Sequence, residues 1–65
     1  MNVHVDFYDR GSYYEIIGKS SDGSYEITGE NMKDKEGAIA HVQQAIAEHN
    51  QQAGSKYVFQ SYTFI

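Results

Sequence analysis

Apolar residues alternate along the first half of this chain and then change their spacing. Val3, Val5 and Phe7 are separated by His4, Asp6 and Tyr8, a period of two that suits a half-buried β-strand. In a second run Tyr14 and Ile16 share one face, with Tyr13, Glu15 and Ile17 on the other. In a third, Tyr25 and Ile27 alternate with Glu26 and Thr28. From Asn31 the period becomes helical: Met32, Ile39, Val42 and Ile46 form one stripe, flanked by Ala38, Ala45 and Ala53. A chain patterned this way folds as strands first and a helix after.

Turn chemistry sets the boundaries. Asp9-Arg10-Gly11-Ser12 joins the first two strands, and Lys19 to Ser24 joins the next two. Within the latter, Asp22-Gly23 suits a hairpin because both residues tolerate positive φ. Asn31 or Asp34 offers an oxygen to cap the helix start, while Asp34 and Glu36 suit the positive end of its dipole. Gly37 weakens the first turns and Gly54 stops the helix, which is expected over about 34–52. A closing strand follows from Lys56 to Ile65. Strict alternation places Tyr57, Phe59 and Ile65 on one side of it and Val58, Tyr62 and Phe64 on the other.

The expected fold class is therefore α+β. It is a two-layer β-β-β-α-β domain over 1–65, with a mainly antiparallel four-stranded sheet and one helix packed on one face. The expected core is Val3, Val5, Phe7, Tyr14, Ile16, Tyr25, Ile27, Ile39, Val42 and Ile46, with one side of the last strand. A chain of 65 residues buries only about 60% of the surface its unfolded form exposes. It contains no cysteine, so neither a disulfide nor a thiolate-held zinc ion contributes. Six tyrosines and three phenylalanines supply the large contact areas instead.

Nine acidic and five basic residues leave a formal charge of −4. That disfavours a dedicated nucleic-acid binder, which rests on a basic surface. The start, Met1 to Asp6, lacks the basic and long apolar regions of a signal peptide. No run approaches the ~20 apolar residues of a membrane span. A soluble, cytoplasmic protein without a membrane partner is expected.

Motifs that would carry chemistry fail on their own requirements. Gly18-Lys19-Ser20 has the ending of a phosphate-binding loop, but Tyr13 stands where a glycine is needed and a turn follows instead of a helix. His41 and His49 lie about 80° apart around a helix, which does not suit one metal ion. His49 borders the apolar stripe and suits a packed role, while His41 faces solvent. Asp22 lacks the alternating acids of a calcium loop. Thr63-Phe64-Ile65 and Tyr14-Glu15-Ile16-Ile17 match short peptide ligands, yet strand pattern accounts for both. Neither an enzyme nor a cofactor or metal site is expected.

One helix cannot cover both faces of a sheet. The open face should carry Tyr8, Tyr13, Glu15, Ile17 and Glu26, an aromatic and acidic surface suited to contact with another protein. These five are the expected partner-binding residues. In size, charge and fold class the chain resembles the small acidic inhibitors with which phages and mobile elements block host proteins. Two other readings stand beside this one. The first is a homodimer paired through the open face or the C-terminal strand. The second is nucleic-acid or small-ligand binding at Lys33, Lys35 and the helix start.

Overall fold

The computed structural model describes residues 1–65, apart from the side chain of Met32. Its elements run β1 (Asn2–Asp9), β2 (Tyr13–Ser20), β3 (Glu26–Met32), α1 (Lys35–Ala53) and β4 (Val58–Phe64). The strands form one sheet in the order β3-β2-β1-β4. β2 is antiparallel to both β1 and β3, whereas β4 lies parallel to β1. The α1 connection therefore carries the chain past β2 and β1 to the opposite edge, because parallel strands need a long crossover. The expected α+β class and single covering helix are what the structure shows.

Val3, Val5 and Phe7 are fully buried, and Tyr14 and Ile16 join them from β2. Their register, with Phe7 opposite Ile16 and Asp9 opposite Tyr14, puts the two sets on one side of the sheet. Ala38, Val42 and Ile46 close the core from α1. Tyr25, Ile27 and Ile39 pack around it half-buried. Gly18 leaves room for its cross-strand neighbours Val5 and Ile27 to meet over β2. A Cβ there would sit 2.7 Å from Ile27 Cγ2 and 2.8 Å from Val5 Cγ2, so a larger residue forces neighbouring strands to shift.

The helix begins one residue later than expected. Asp34 occupies the N-cap position in extended backbone, but its side chain makes no capping hydrogen bond. Instead its Oδ2 lies over Gly37, in the space a Cβ would take. Met32, expected on the helical stripe, ends β3, and its side chain lies outside the described residues. Gly54 closes the helix at φ 66° and donates its N–H to Asn50 O. In the Ser20–Tyr25 turn only Gly23, at φ 74°, takes positive φ. Asp22 instead accepts hydrogen bonds from the Ser20 and Ser24 hydroxyls at 2.7 and 2.8 Å.

The main departure lies in β4. Val3 faces Phe59, but the next residue of β1, His4, faces Ser61. Gln60 is thus an extra residue, a β-bulge that resets the side-chain alternation. Tyr57 and Phe59 before it and Tyr62 and Phe64 after it share the helix side. Val58, Ser61, Thr63 and Ile65 share the other. Both sets expected from strict alternation are wrong for this reason. Ring contacts agree: Phe7 stacks on Phe64 at 4.6 Å and meets Tyr62 edge-on at 6.2 Å, and Phe59 lies 5.8 Å from Tyr62.

Asn50 ties helix to strand. Its Nδ2 donates to Tyr57 O at 2.8 Å, while its Oδ1 accepts from Tyr57 N–H at 2.9 Å and from the Ser55 hydroxyl at 2.9 Å. The amide thus pairs with Tyr57 as a neighbouring strand would. Beside it Tyr25 stacks on His49 at 4.3 Å and on Tyr57 at 4.8 Å. Replacing Asn50 by Ala leaves a half-buried N–H and C=O without partners. Urea unfolding should show a loss of about 1–3 kcal/mol, against under ~0.5 kcal/mol for exposed Gln51→Ala.

Candidate functional site

Two surfaces compete as the site: the sheet face away from α1, and the outer edge of β4. The register assembles the open face row by row. His4 stands between Ser61 and Lys19, with Glu26 beyond Lys19. Asp6 stands between Thr63 and Ile17, with Thr28 beyond. Tyr8 neighbours Glu15, which neighbours Glu30. Tyr13 and Ile17 follow Glu15 on its own side of β2. Tyr8, Tyr13, Glu15, Ile17 and Glu26 therefore share one face. The first four are half-buried and Glu26 is exposed.

Much of this face is occupied by its own cross-strand partners. Arg10 Nη2 lies 2.7 Å from Glu15 Oε1, and its guanidinium covers the Tyr8 ring at 5.0 Å. Lys19 stands 3.9 Å from Glu26. His4 Nε2 is 2.9 Å from Asp6 Oδ1, and His4 Nδ1 is 2.7 Å from Ser61 Oγ. In the Nε2–H tautomer the ring donates to the Asp6 carboxylate and its Nδ1 accepts from the Ser61 hydroxyl, whereas a protonated ring donates at both nitrogens. The linkage joins Ser, His and Asp in the order of a catalytic triad but through exchanged ring nitrogens, since a triad sets Nε2 toward the serine and Nδ1 toward the aspartate. It stands on an open face, and the described residues enclose no cavity around it. Its evident physical effect is to tie β1 to β4 across the sheet.

Lys33 and Lys35, the expected basic cluster, are also engaged. Lys33 Nζ is 2.9 Å from Asp9 Oδ2, and Lys35 Nζ lies over the Phe64 ring at 5.2 Å. His41 is exposed and His49 is packed in its aromatic stack. No group of three or more metal-ligating side chains occurs among the described residues.

The β4 edge is different in kind. Among the described residues four large apolar side chains stand exposed: Met1 at 55%, Val58 at 55%, Tyr62 at 49% and Ile65 at 61%. Val58, Tyr62 and Ile65 belong to β4 or its end, and Met1 adjoins Val58 from the β1 side, where its C=O accepts the Val58 N–H at 2.8 Å. No charged side chain occurs from Tyr57 to Ile65. The opposite edge, β3, carries Glu26 and Glu30, the usual protection against unwanted strand pairing. Ile65 also flanks Tyr8, since Ile65 N–H donates to Phe7 O and Asp9 N–H to Ile65 O.

The C-terminal strand is expected as a dimer contact, but Met1 and Ser61 are not expected beside it, and Val58 and Ile65 are expected on opposite sides. The legible signal was the loss of charge after Lys56; the bulge that sorts these residues had none. No helix is long and apolar enough to cross a membrane. No family model, no curated protein and no solved structure matches the chain.

Two turn carboxylates give the surface a pH response. The Gly11 N–H and then Lys33 hold Asp9 below the ordinary value of 3.8. Hydrogen bonds from the Ser20 and Ser24 hydroxyls, then from the Ser24 N–H, do the same for Asp22. A depressed folded-state pKa contributes stability above the unfolded value and loses it as pH falls through the folded one. Stability should therefore decline below about pH 4. In the double variant Asp9→Asn, Asp22→Asn, thermal melts between about pH 5 and 2 should show a shallower decline.

Proposed function

We propose that this chain is a non-enzymatic protein-interaction module that takes up an extended segment of a partner protein along β4. The carrying observation is that, among the described residues, Val58, Tyr62 and Ile65, three of the four exposed large apolar side chains, lie along a strand with no charged side chain, with Met1 just before the adjoining β1. An added strand gains main-chain hydrogen bonds from the edge and side-chain contacts on both sides of it. Val58 and Ile65 offer contacts on the open side, and Tyr62 offers them on the helix side. The net charge of −4 favours a basic partner by steering its approach. Occupying a partner's segment in this way is how so small a chain would act as an inhibitor.

A second reading keeps the contact on the open face, through Tyr8, Tyr13, Glu15, Ile17 and Glu26. It is favoured by their common side of the sheet and by Ile65 lying beside Tyr8. The nucleic-acid reading is weaker, because Lys33 and Lys35 already have partners within the chain.

Affinity capture from the native host with three folded baits separates the two interaction readings. A partner held at β4 should bind Tyr62→Lys at least about tenfold more weakly, and bind Tyr13→Ala, Glu15→Ala unchanged. The reverse pattern moves the contact to the open face. The His4–Ser61–Asp6 linkage should not act as a hydrolytic site: p-nitrophenyl acetate should turn over equally with the chain and with Ser61→Ala. A clear drop in the variant contradicts the non-enzymatic reading.

A further inference from the structure

The geometry points to a second copy of this chain as an occupant of the β4 edge, joined by antiparallel β4–β4 pairing about a two-fold axis. The inference rests on reading β4 as the contact edge and adds the partner, the register and the groups that bond.

The backbone directions of β4 are set by its bonds to β1. Val58 N–H donates to Met1 O, and Ile65 both donates to Phe7 O and accepts from Asp9 N–H. Alternation then turns Ser61 and Thr63 inward with them, and it turns Phe59, Tyr62 and Phe64 outward. Tyr57 also points outward, but the Asn50 side-chain amide already holds its N–H and C=O. The free groups of the edge therefore lie between the Asn50 clamp and the end of the strand.

A bulge usually protects an edge, because it offsets the spacing of outward groups against a regular strand. A second copy removes that mismatch. Closed two-fold pairing brings the same strand against itself in reverse. When the axis passes between Gln60 and Ser61, Phe59 of one copy faces Tyr62 of the other, and Tyr62 faces Phe59. Each is an outward residue, so each pair exchanges N–H and C=O groups. The bulges then lie opposite one another, and both strands lengthen at the same point. This register pairs outward Phe59 with outward Tyr62 on both sides of the axis, while Phe64 falls opposite Tyr57, whose N–H and C=O Asn50 already holds.

Charge selects the same edge. Two copies at −4 each repel, and pairing through β3 would set Glu26 and Glu30 along a shared seam. The stretch Tyr57–Ile65 places no charged side chain at a β4 seam. Phe59 and Tyr62 from both copies would extend the aromatic cluster that already joins Phe7, Tyr62 and Phe64. A seam of one strand pair is small beside a standard interface of about 1,600 Å². Monomer and dimer should therefore exchange at about 10–500 μM.

Sedimentation equilibrium of the full chain over that range, paired with amide hydrogen exchange, tests the proposal. The mass should rise from 7.4 kDa toward twice that value. The Phe59 and Tyr62 amides should slow by about tenfold with concentration, while Val58 and Thr63, already bonded inward, should not change. Tyr62→Lys, checked for cooperative unfolding, should stay monomeric; Ile17→Lys should dimerise as the parent does. A monomer at every concentration overturns the self-pairing, as does a dimer that leaves the Phe59 and Tyr62 amides unprotected. If Tyr62→Lys unfolds, the exchange pattern of the parent chain decides alone. The β4 reading itself falls separately, if Tyr62→Lys also leaves capture of the partner protein unchanged.

Discussion

An extra residue in the closing strand decides how the aromatic side chains of this small domain are distributed. Without Gln60 the alternation begun by Tyr57 and Phe59 would turn Tyr62 and Phe64 away from the helix. With it, all four rings stand on the helix side, where Phe64 stacks on Phe7 and meets Tyr14 edge-on at 5.2 Å. The helix alone supplies modest material: its buried side chains are Ala38, Val42 and Ile46. Rings from β4 make up the difference. A single bulge thereby does for this core what a disulfide or metal does in other chains of similar length.

The helix and β4 depend on one another at both ends. At one end Asn50 binds the Tyr57 backbone and His49 joins the Tyr25 and Tyr57 rings. Burial, and secondarily Tyr57, raise the pKa of the Tyr25 hydroxyl, which marks this cluster as partly desolvated. At the other end Lys35 lies over Phe64. β1 is one of the two central strands, pairing with β2 on one side and β4 on the other. Its position in the sheet explains why Val3, Val5 and Phe7 are all fully buried.

Local pattern carried much of this fold. The alternation of Val3, Val5 and Phe7 and the stripe of Ile39, Val42 and Ile46 each report on one element and its own face. The turns at Gly11 and Gly23 and the stop at Gly54 depend only on neighbouring residues, and all three adopt positive φ. What was not legible arises between distant segments. The bulge is defined by where β1 meets β4, so no residue type near Gln60 announces it. Asn50 reads as an ordinary helical residue until Tyr57 comes beside it. His4, Asp6 and Ser61 meet only because β4 pairs with β1. The five residues expected at the open face do share that face, but the cations that occupy Glu15 and Glu26 became visible only in the register. The bulge that completes the core also sorts the exposed apolar residues of β4: it sends Tyr62 to the helix side and Ile65 to the open side, which Val58 already occupies.

The placement of Tyr62 tests this account most directly. In a nuclear Overhauser spectrum at low concentration, its ring protons should show cross-peaks to the rings of Phe7, Phe59 and Phe64, which lie 6.2, 5.8 and 5.7 Å away between centroids. Cross-peaks from Tyr62 to His4 and Asp6 instead would place it on the open face and contradict the bulge, and with it the assignment of the edge.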